Sequence, residues 1–418
     1  MQVLKKIAVY FLVLGLIGCG NRLTDNRIEI ANQKYDIIDY DAISDEMYKI
    51  DALNVSVLLP LSGKAENIGK GMQNAMFMAL SDQRDNNVIL KFYDTKSTAL
   101  GAKDAAENAI KEGSELILGP LMFEEVESVA PVALKYDIPI VSFTTSPQVL
   151  QKGIYSIGLL NGEQIERVLS YAKSKGKTNL ALVVPDNNSG LNVLKSALGS
   201  AQNKGIKLVK VGFYNQSSID FTSLIKSMSE EKDFDAVLIA DGGNRLKSLA
   251  SMFAYNDIMY PEVLFMGTSA WDNTNLSKET ILYHGVYPMV SKNYVSYFNG
   301  KYKETFGEMP KSIYSLAYDG VLLAATLSMK NTDITESLTS KSGFIGVNGY
   351  FKVLPTGQSW HSLEVYEITS NGPKVVAQGE KNAEYVENEF DVRYISYDAL
   401  PKVYGKNNSE VLKWLYNN

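Results

Sequence analysis

The chain has 418 residues, 45% of them hydrophobic and 21% charged, with a formal net charge of −6 and a single cysteine. That length accommodates two lobes of ordinary domain size, each with its own packed core. The acidic balance argues against nucleic acid as a partner and against electrostatic docking on anionic lipid, and one cysteine excludes an internal disulfide framework.

Lys5 and Lys6 precede an apolar run over 7–17, which ends in Leu16-Ile17-Gly18-Cys19. A charged start, a short apolar stretch and small residues before a cleavage point describe an export signal over 1–18. The run falls short of the roughly 20 apolar residues that span a bilayer. The Leu-Ile-Gly-Cys ending resembles the lipobox of bacterial lipoproteins, which implies that Cys19 is lipidated and becomes the first residue of the mature chain. An ordinary secretory signal with an incidental cysteine is the alternative. Residues 19–52 are polar and acidic, with Asp36, Asp39, Asp41, Asp45 and Glu46 close together and no sustained apolar period. They read as a tether between anchor and body, with a short helix over 42–50 packed on the body as the alternative.

The body begins at Asn54. Val55-Ser56-Val57-Leu58-Leu59-Pro60 is short, continuous, apolar and stopped by proline, which predicts a buried strand. Met72, Ala75, Met76, Ala79 and Leu80 then recur at helical spacing. Strands at 88–93, 116–118 and 138–143 alternate with helical faces at 99–110 and 123–136. That alternation implies a parallel sheet with helices on both sides. The pattern restarts at Asn179-Leu180-Ala181-Leu182-Val183-Val184-Pro185, which echoes Asn54–Pro60 position for position. Strands at 207–211 and 234–239 continue it, so the second half reads as a second copy of the same architecture.

Helical spacing returns at Ala317, Tyr318, Val321, Leu322 and Ala325. Segments 349–353 and 363–368 alternate apolar and polar residues around Pro355-Thr356-Gly357, an antiparallel hairpin signature. Residues 371–418 are polar with weak apolar pattern and read as a wrapping tail.

Catalytic constellations are absent from the pattern. His284 and His361 are isolated, and neither lies near an acid and nucleophile in a triad order. No His-Glu-x-x-His element or cysteine set suggests a metal. The Gly63…Gly69-Lys70-Gly71 stretch has five residues between its glycines and Gly71 in place of a hydroxyl, so it fails as a phosphate loop. Glu124 and Glu125 sit at a predicted helix start, where they favour the helix dipole. Neither catalysis, a metal nor a cofactor is expected.

Val57-Leu58-Leu59-Pro60-Leu61-Ser62-Gly63 resembles the opening strand and loop of type I periplasmic binding proteins, the leucine/isoleucine/valine-binding group. So do Leu118-Gly119-Pro120-Leu121, Val129-Ala130-Pro131-Val132-Ala133, Ile138-Pro139-Ile140-Val141-Ser142, Phe265-Met266-Gly267 and Tyr318-Asp319-Gly320. The resemblance covers about 53–370. It implies two α/β lobes of parallel sheet flanked by helices, joined by crossover strands and closing on a ligand at the hinge. Lobe 1 is expected over 53–155 plus 280–345, and lobe 2 over 156–279 plus 346–370. Ligands of open α/β sheets sit at the carboxyl ends of strands, which places Leu61, Ser62, Thr144, Thr145, Ser146, Asp241 and Ser269 at the cleft.

Amino-acid receptors of this family hold the ligand carboxylate with hydroxyls just after the Gly-x-Leu loop, where this chain has Met122, Phe123 and Glu124. They hold the ammonium with an acid where this chain has Ser269, and stack a tyrosine where it has Ser189. Only the hydroxyl loop, Thr144-Thr145-Ser146, survives. Gly119-Pro120-Leu121 followed by Glu124-Glu125-Val126, the 343–351 segment and the Pro355-Thr356-Gly357 turn resemble the penicillin-binding-protein activators. This second resemblance implies a non-catalytic lipoprotein that regulates peptidoglycan synthesis by contacting a bifunctional penicillin-binding protein. The alternative is an extracytoplasmic receptor of an ABC transporter for amino acids or related small ligands. A small amino-acid-like or peptidoglycan-derived ligand is a candidate partner beside the synthase. Gly20, in place of a retention-type aspartate, is compatible with a periplasm-facing lipoprotein in the outer membrane of a Gram-negative bacterium.

Overall fold

The computed structural model describes residues 52–83, 87–272, 275–330, 332–380 and 400–417. Cys19, the export signal and the expected tether lie outside the described residues, apart from residue 52. Among the described residues no helix is long and apolar enough to cross a membrane.

Lobe 1 opens with β1 (Leu53–Leu59), α1 (Glu66–Asp82), β2 (Val88–Asp94), α2 (Ala99–Lys111), β3 (Leu116–Leu118), α3 (Phe123–Lys135), β4 (Ile140–Ser142) and β5 (Ile154–Ser156). The strands form one parallel sheet in the order β2-β1-β3-β4-β5. Val55, Val57 and Leu59 face one side of β1, against Met72, Ala75, Met76 and Ala79 of α1. Leu58 faces the other, against Ala102 and Ala106 of α2 and Val126 and Val129 of α3. Small residues on α2 let that helix lie close to the sheet. The loop after β3 also depends on a missing side chain. Gly119 has φ +96°, and a Cβ there would stand 2.2 Å from the Leu58 carbonyl oxygen.

Lobe 2 continues with α4 (Asn161–Ser174), β6 (Asn179–Pro185), α5 (Asn188–Asn203), β7 (Lys207–Tyr214), α6 (Thr222–Ser229), β8 (Ala236–Ile239), α7 (Gly243–Tyr255), β9 (Leu264–Gly267) and β10 (Val286–Met289). The order β7-β6-β8-β9-β10 repeats that of lobe 1, with the opening strand again flanked by the second and third. The restart read at Asn179 is therefore matched by topology. Leu180, Leu182 and Val184 of β6 pack toward α4 and α5, whereas Ala181 and Val183 pack toward α6 and α7.

The chain then returns to lobe 1 as α8 (Lys292–Phe306), α9 (Ser312–Ser328) and α10 (Ile334–Leu338). Phe298, Tyr302, Tyr314, Ala317 and Val321 complete the core on the α1 side of the sheet. A small antiparallel sheet follows, made of β11 (Phe344–Gly346), β12 (Gly349–Val353) and β13 (Ser359–His361). Its inward residues Phe344, Phe351 and Val353 join the same core.

Three expectations are corrected. First, β10 pairs with β9 and with β14 (Glu364–Thr369), so lobe 2 keeps the chain to Met289 instead of ceding it at 280. The reason is the repeat: β10 is the counterpart of β5 and completes the five-strand unit. Second, β12 turns back on β13, while the 363–368 segment supplies β14 of the other sheet. The return to lobe 2 thus follows His361, not 346, because the inward face of β12 is buried in lobe 1. Third, residues 371–418 do more than wrap. Strands β15 (Gly372–Ala377) and β16 (Lys402–Tyr404) close the two edges of an eight-stranded sheet in the order β15-β14-β10-β9-β8-β6-β7-β16. Helix α11 (Asn408–Asn417) buries Val411 and Leu415 in the α5 side of the core, and Leu412 is buried beside them in sequence.

Candidate binding cleft

The chain passes between the lobes at 157–160, 290–291 and 362–363; the first two passages leave the carboxyl ends of β5 and β10, and the third enters β14 beside the end of β10. The loops after the parallel strands therefore gather around the crossovers, the ordinary position of a ligand in an open α/β sheet.

Leu61 and Ser62 follow β1, and both are held by Asp94 at the end of β2. The Asp94 carboxylate accepts the Leu61 N–H at 2.9 Å, the Ser62 N–H at 3.1 Å, the Ser62 hydroxyl at 2.6 Å and the Lys96 N–H at 2.8 Å. Burial acts to raise its pKa, but the hydrogen bonds from Ser62, Lys96 and Leu61 outweigh it and hold the group below its ordinary value. Thr144 is buried. Its hydroxyl accepts the Ser146 N–H at 3.2 Å, and its carbonyl accepts the Ser156 hydroxyl at 2.6 Å. Thr145 is exposed and Ser146 half-buried. The hydroxyl loop is thus divided, with Thr144 shaping the loop and Thr145 facing out. Of the acids at the start of α3, Glu124 is exposed, while Glu125 is buried and accepts the Thr95 hydroxyl at 2.7 Å. Desolvation raises the Glu125 pKa against the lowering effect of that hydrogen bond.

In lobe 2, Asp241 follows β8 and accepts the Gly242 N–H at 2.7 Å, the Arg245 Nε–H at 2.7 Å and the Tyr214 hydroxyl. Burial, and then the hydrogen bond to Asp241, push the Tyr214 phenol well above its ordinary pKa. Ser269 donates its backbone N–H to Gln164 Oε1 at 2.7 Å, and Gln164 Nε2 reaches the Leu159 carbonyl of the first crossover at 3.1 Å. The strand pattern places Asp186 and Asp272 in cleft loops, at 186–190 and 267–272, without giving them a role, and it does not single out Asp94, Arg245 or Lys406. Asp186 follows β6 and accepts from Lys406 Nζ at 2.5 Å. Asp272 follows β9, accepts the Tyr287 hydroxyl at 2.7 Å and pairs with Lys292. Asp94, Asp186 and Asp272 were detectable as acids closing or following predicted strands; the lysines that hold the last two were not.

Trp271 fixes the loop that carries Ser269 and Asp272. Its indole N–H donates to the Ile239 carbonyl at 3.1 Å, and the side chain is fully buried. A Cβ on Gly267 would stand 2.1 Å from the indole ring. Gly267→Ala is therefore expected to evict the indole and cost about 1–3 kcal/mol, read as a fall in denaturant midpoint. An unchanged midpoint would contradict this packing.

The crossovers are fastened from the first two turns of α4. Glu163 accepts the Leu160 N–H at 3.0 Å and the His361 N–H at 2.7 Å, and lies 3.0 Å from His361 Nδ1. Arg167 Nε donates to the Leu363 carbonyl at 2.7 Å. Ser359 donates to the Gly158 carbonyl at 2.9 Å. His361 is thus a hydrogen-bonded core residue. His284 is exposed, stacks on Tyr260 at 4.5 Å between centroids, and has its Nδ1 3.1 Å from Glu367.

Residues 52–373 match the family model described as periplasmic binding protein. Over 86 residues the chain is 34% identical to the penicillin-binding protein activator LpoA of Photobacterium profundum, a stretch that is 20% of this chain and 13% of that protein. The chain spans less than half the length of the curated relatives it matches. Among solved structures, a putative branched-chain amino acid ABC transporter protein of Rhodospirillum rubrum is 16% identical with a TM-score of 0.69, covering 78% of this chain and 100% of that one. The leucine binding protein LivK of Thermotoga maritima is 18% identical with a TM-score of 0.58, covering 79% of this chain and 99% of that one. At these identities the likeness is one of fold.

Proposed function

Because this chain belongs to the periplasmic binding protein family, we propose that it is a non-catalytic envelope lipoprotein that regulates peptidoglycan synthesis by contacting a bifunctional penicillin-binding protein. In this reading Cys19 carries the lipid, and the body faces the periplasm from the outer membrane. One observation carries the choice over an amino-acid receptor. The four aspartates at the carboxyl ends of β2, β6, β8 and β9 are each engaged by the protein's own donors. Asp94 is taken by Ser62 and backbone N–H groups, Asp186 by Lys406, Asp241 by Tyr214 and Arg245, and Asp272 by Tyr287 and Lys292. An amino-acid ammonium, once desolvated, needs a carboxylate partner, and taking one of these four would strand a hydroxyl or a cation. The named activity of the Photobacterium relative supports the same reading.

A second reading is a transporter receptor for a small carboxylate. The exposed Thr145 on lobe 1 and the partly exposed Arg245 on lobe 2 favour it, since a carboxylate ligand wants donors. Calorimetric titration of the full chain with leucine, isoleucine, valine and soluble muropeptides tests both readings, alongside co-purification with a bifunctional penicillin-binding protein. The expected result is retention of the synthase and no heat from the amino acids. Stoichiometric binding of a branched amino acid, with no synthase retained, would overturn the proposal.

A further inference from the structure

We propose that the outward face of the β11-β12-β13 sheet is the surface by which this protein docks a protein partner, through an apolar patch on that partner bearing an acidic side chain. The inference rests on the contact role proposed above and assigns it a place. Strand alternation sends Phe344, Phe351 and Val353 into the lobe 1 core and leaves Ile345, Tyr350, Lys352 and Trp360 on the outside. Ile345 stands opposite Tyr350 in the ladder and is 73% exposed. Tyr350 and Trp360 meet edge to face at 6.0 Å between centroids. These side chains make one apolar strip across the three strands. A strip rich in Trp and Tyr has the composition of an interface centre, not of ordinary solvated surface.

Charge narrows the partner. Lys352 is the one charged side chain among the four outward strand positions, and its ammonium lies 5.8 Å from the Tyr350 ring centroid and 6.0 Å from that of Trp360. A carboxylate on the partner would complete that cation as the strip is dried. The strip is also joined to the crossovers. Trp360 is followed by His361, whose backbone N–H is held by Glu163 at the start of lobe 2. A partner seated on the strip therefore bears on the segment through which the lobes are linked.

The test is photo-crosslinking in cells with p-benzoylphenylalanine placed at Ile345, with Leu100 as control; Leu100 is 70% exposed on α2. The adducts are identified by mass spectrometry. The Ile345→Glu variant is assayed alongside for synthase retention. The expected result is an adduct with a peptidoglycan synthase from 345 and none from 100, together with about tenfold or greater loss of retained synthase in Ile345→Glu. Ile345 is exposed, so this variant should unfold at the wild-type midpoint, which separates lost contact from lost fold. An adduct from 345 with a transporter permease would keep the surface and overturn the synthase reading. No adduct from 345, an adduct only with a second copy of this chain, or equal capture from both positions would overturn the surface itself.

Discussion

Glu163→Ala is expected to remove about 2–6 kcal/mol of unfolding free energy, because it strips buried hydrogen-bond donors of their acceptor. Glu163 and His361 are almost wholly buried, with side-chain exposures of 4% and 2%. The carboxylate serves Leu160 N–H, His361 N–H and His361 Nδ1 together, from a position in the first turn of α4. Alanine leaves two backbone N–H groups without acceptors, and each buried unsatisfied group costs about 1–3 kcal/mol. The side chain also spans sequence: Leu160 belongs to the first crossover and His361 leads into the third. Its loss should therefore uncouple the two passages as well as lower stability. Glu163→Gln keeps one acceptor and turns an amide N–H₂ toward a donor, so an intermediate loss is expected. Glu124→Ala, on the exposed start of α3, should stay within about 0.5 kcal/mol of wild type. Denaturant unfolding of the three variants checks the series. A loss below about 1 kcal/mol for Glu163→Ala would show that the crossovers are held by other contacts.

The architecture was legible where chemistry is local. Val55–Pro60 and Leu180–Pro185 declare themselves as buried strands, because a short apolar run ended by proline has few other folds open to it. Their equivalence in the sheet follows from the repeat of order around β1 and β6. What could not be read is pairing decided far away. The apolar-polar alternation of 363–368 says strand, but nothing in it chooses β10 over β12 as neighbour. The tail was misread for a similar reason. Val411, Leu412 and Leu415 form too short a stripe to stand out, and the burial of Val411 and Leu415 depends on the surface that α5 offers. After the strands, the loops bearing Leu61, Ser62, Asp241 and Ser269 follow from strand ends alone. Their chemistry does not. Asp186 looks like a free acid until Lys406, 220 positions away, is placed on it by β16. Asp272 looks free until Lys292 arrives from the second crossover.

Asp319 should make the protein less stable as the pH rises through the range from about 4 to 6. The side chain lies on α9, wholly within the core, and accepts the Val347 N–H at 2.6 Å, the Asn348 N–H at 3.0 Å and Asn348 Nδ2 at 2.7 Å. Burial pushes its pKa from the ordinary 3.8 up to about 6, despite the lowering effect of those hydrogen bonds and of nearby His361. An acid with a higher pKa folded than unfolded binds more protons in the native state between the two values. The unfolding free energy it contributes therefore falls as pH rises across that window and stays low above it. A shift of about two units corresponds to about 3 kcal/mol. Other carboxylates titrate in the same range with the opposite sign, so the quantity to follow is the difference between wild type and Asp319→Asn. Asparagine cannot ionise, yet it keeps a carbonyl oxygen for one of the three donors. The wild-type advantage over Asp319→Asn should therefore shrink by about 3 kcal/mol between pH 4 and pH 7, measured by urea unfolding at several pH values. A difference that stays constant with pH would mean that Asp319 enters the core with its acid strength unchanged. Its three hydrogen bonds would then offset the full cost of burying the charge.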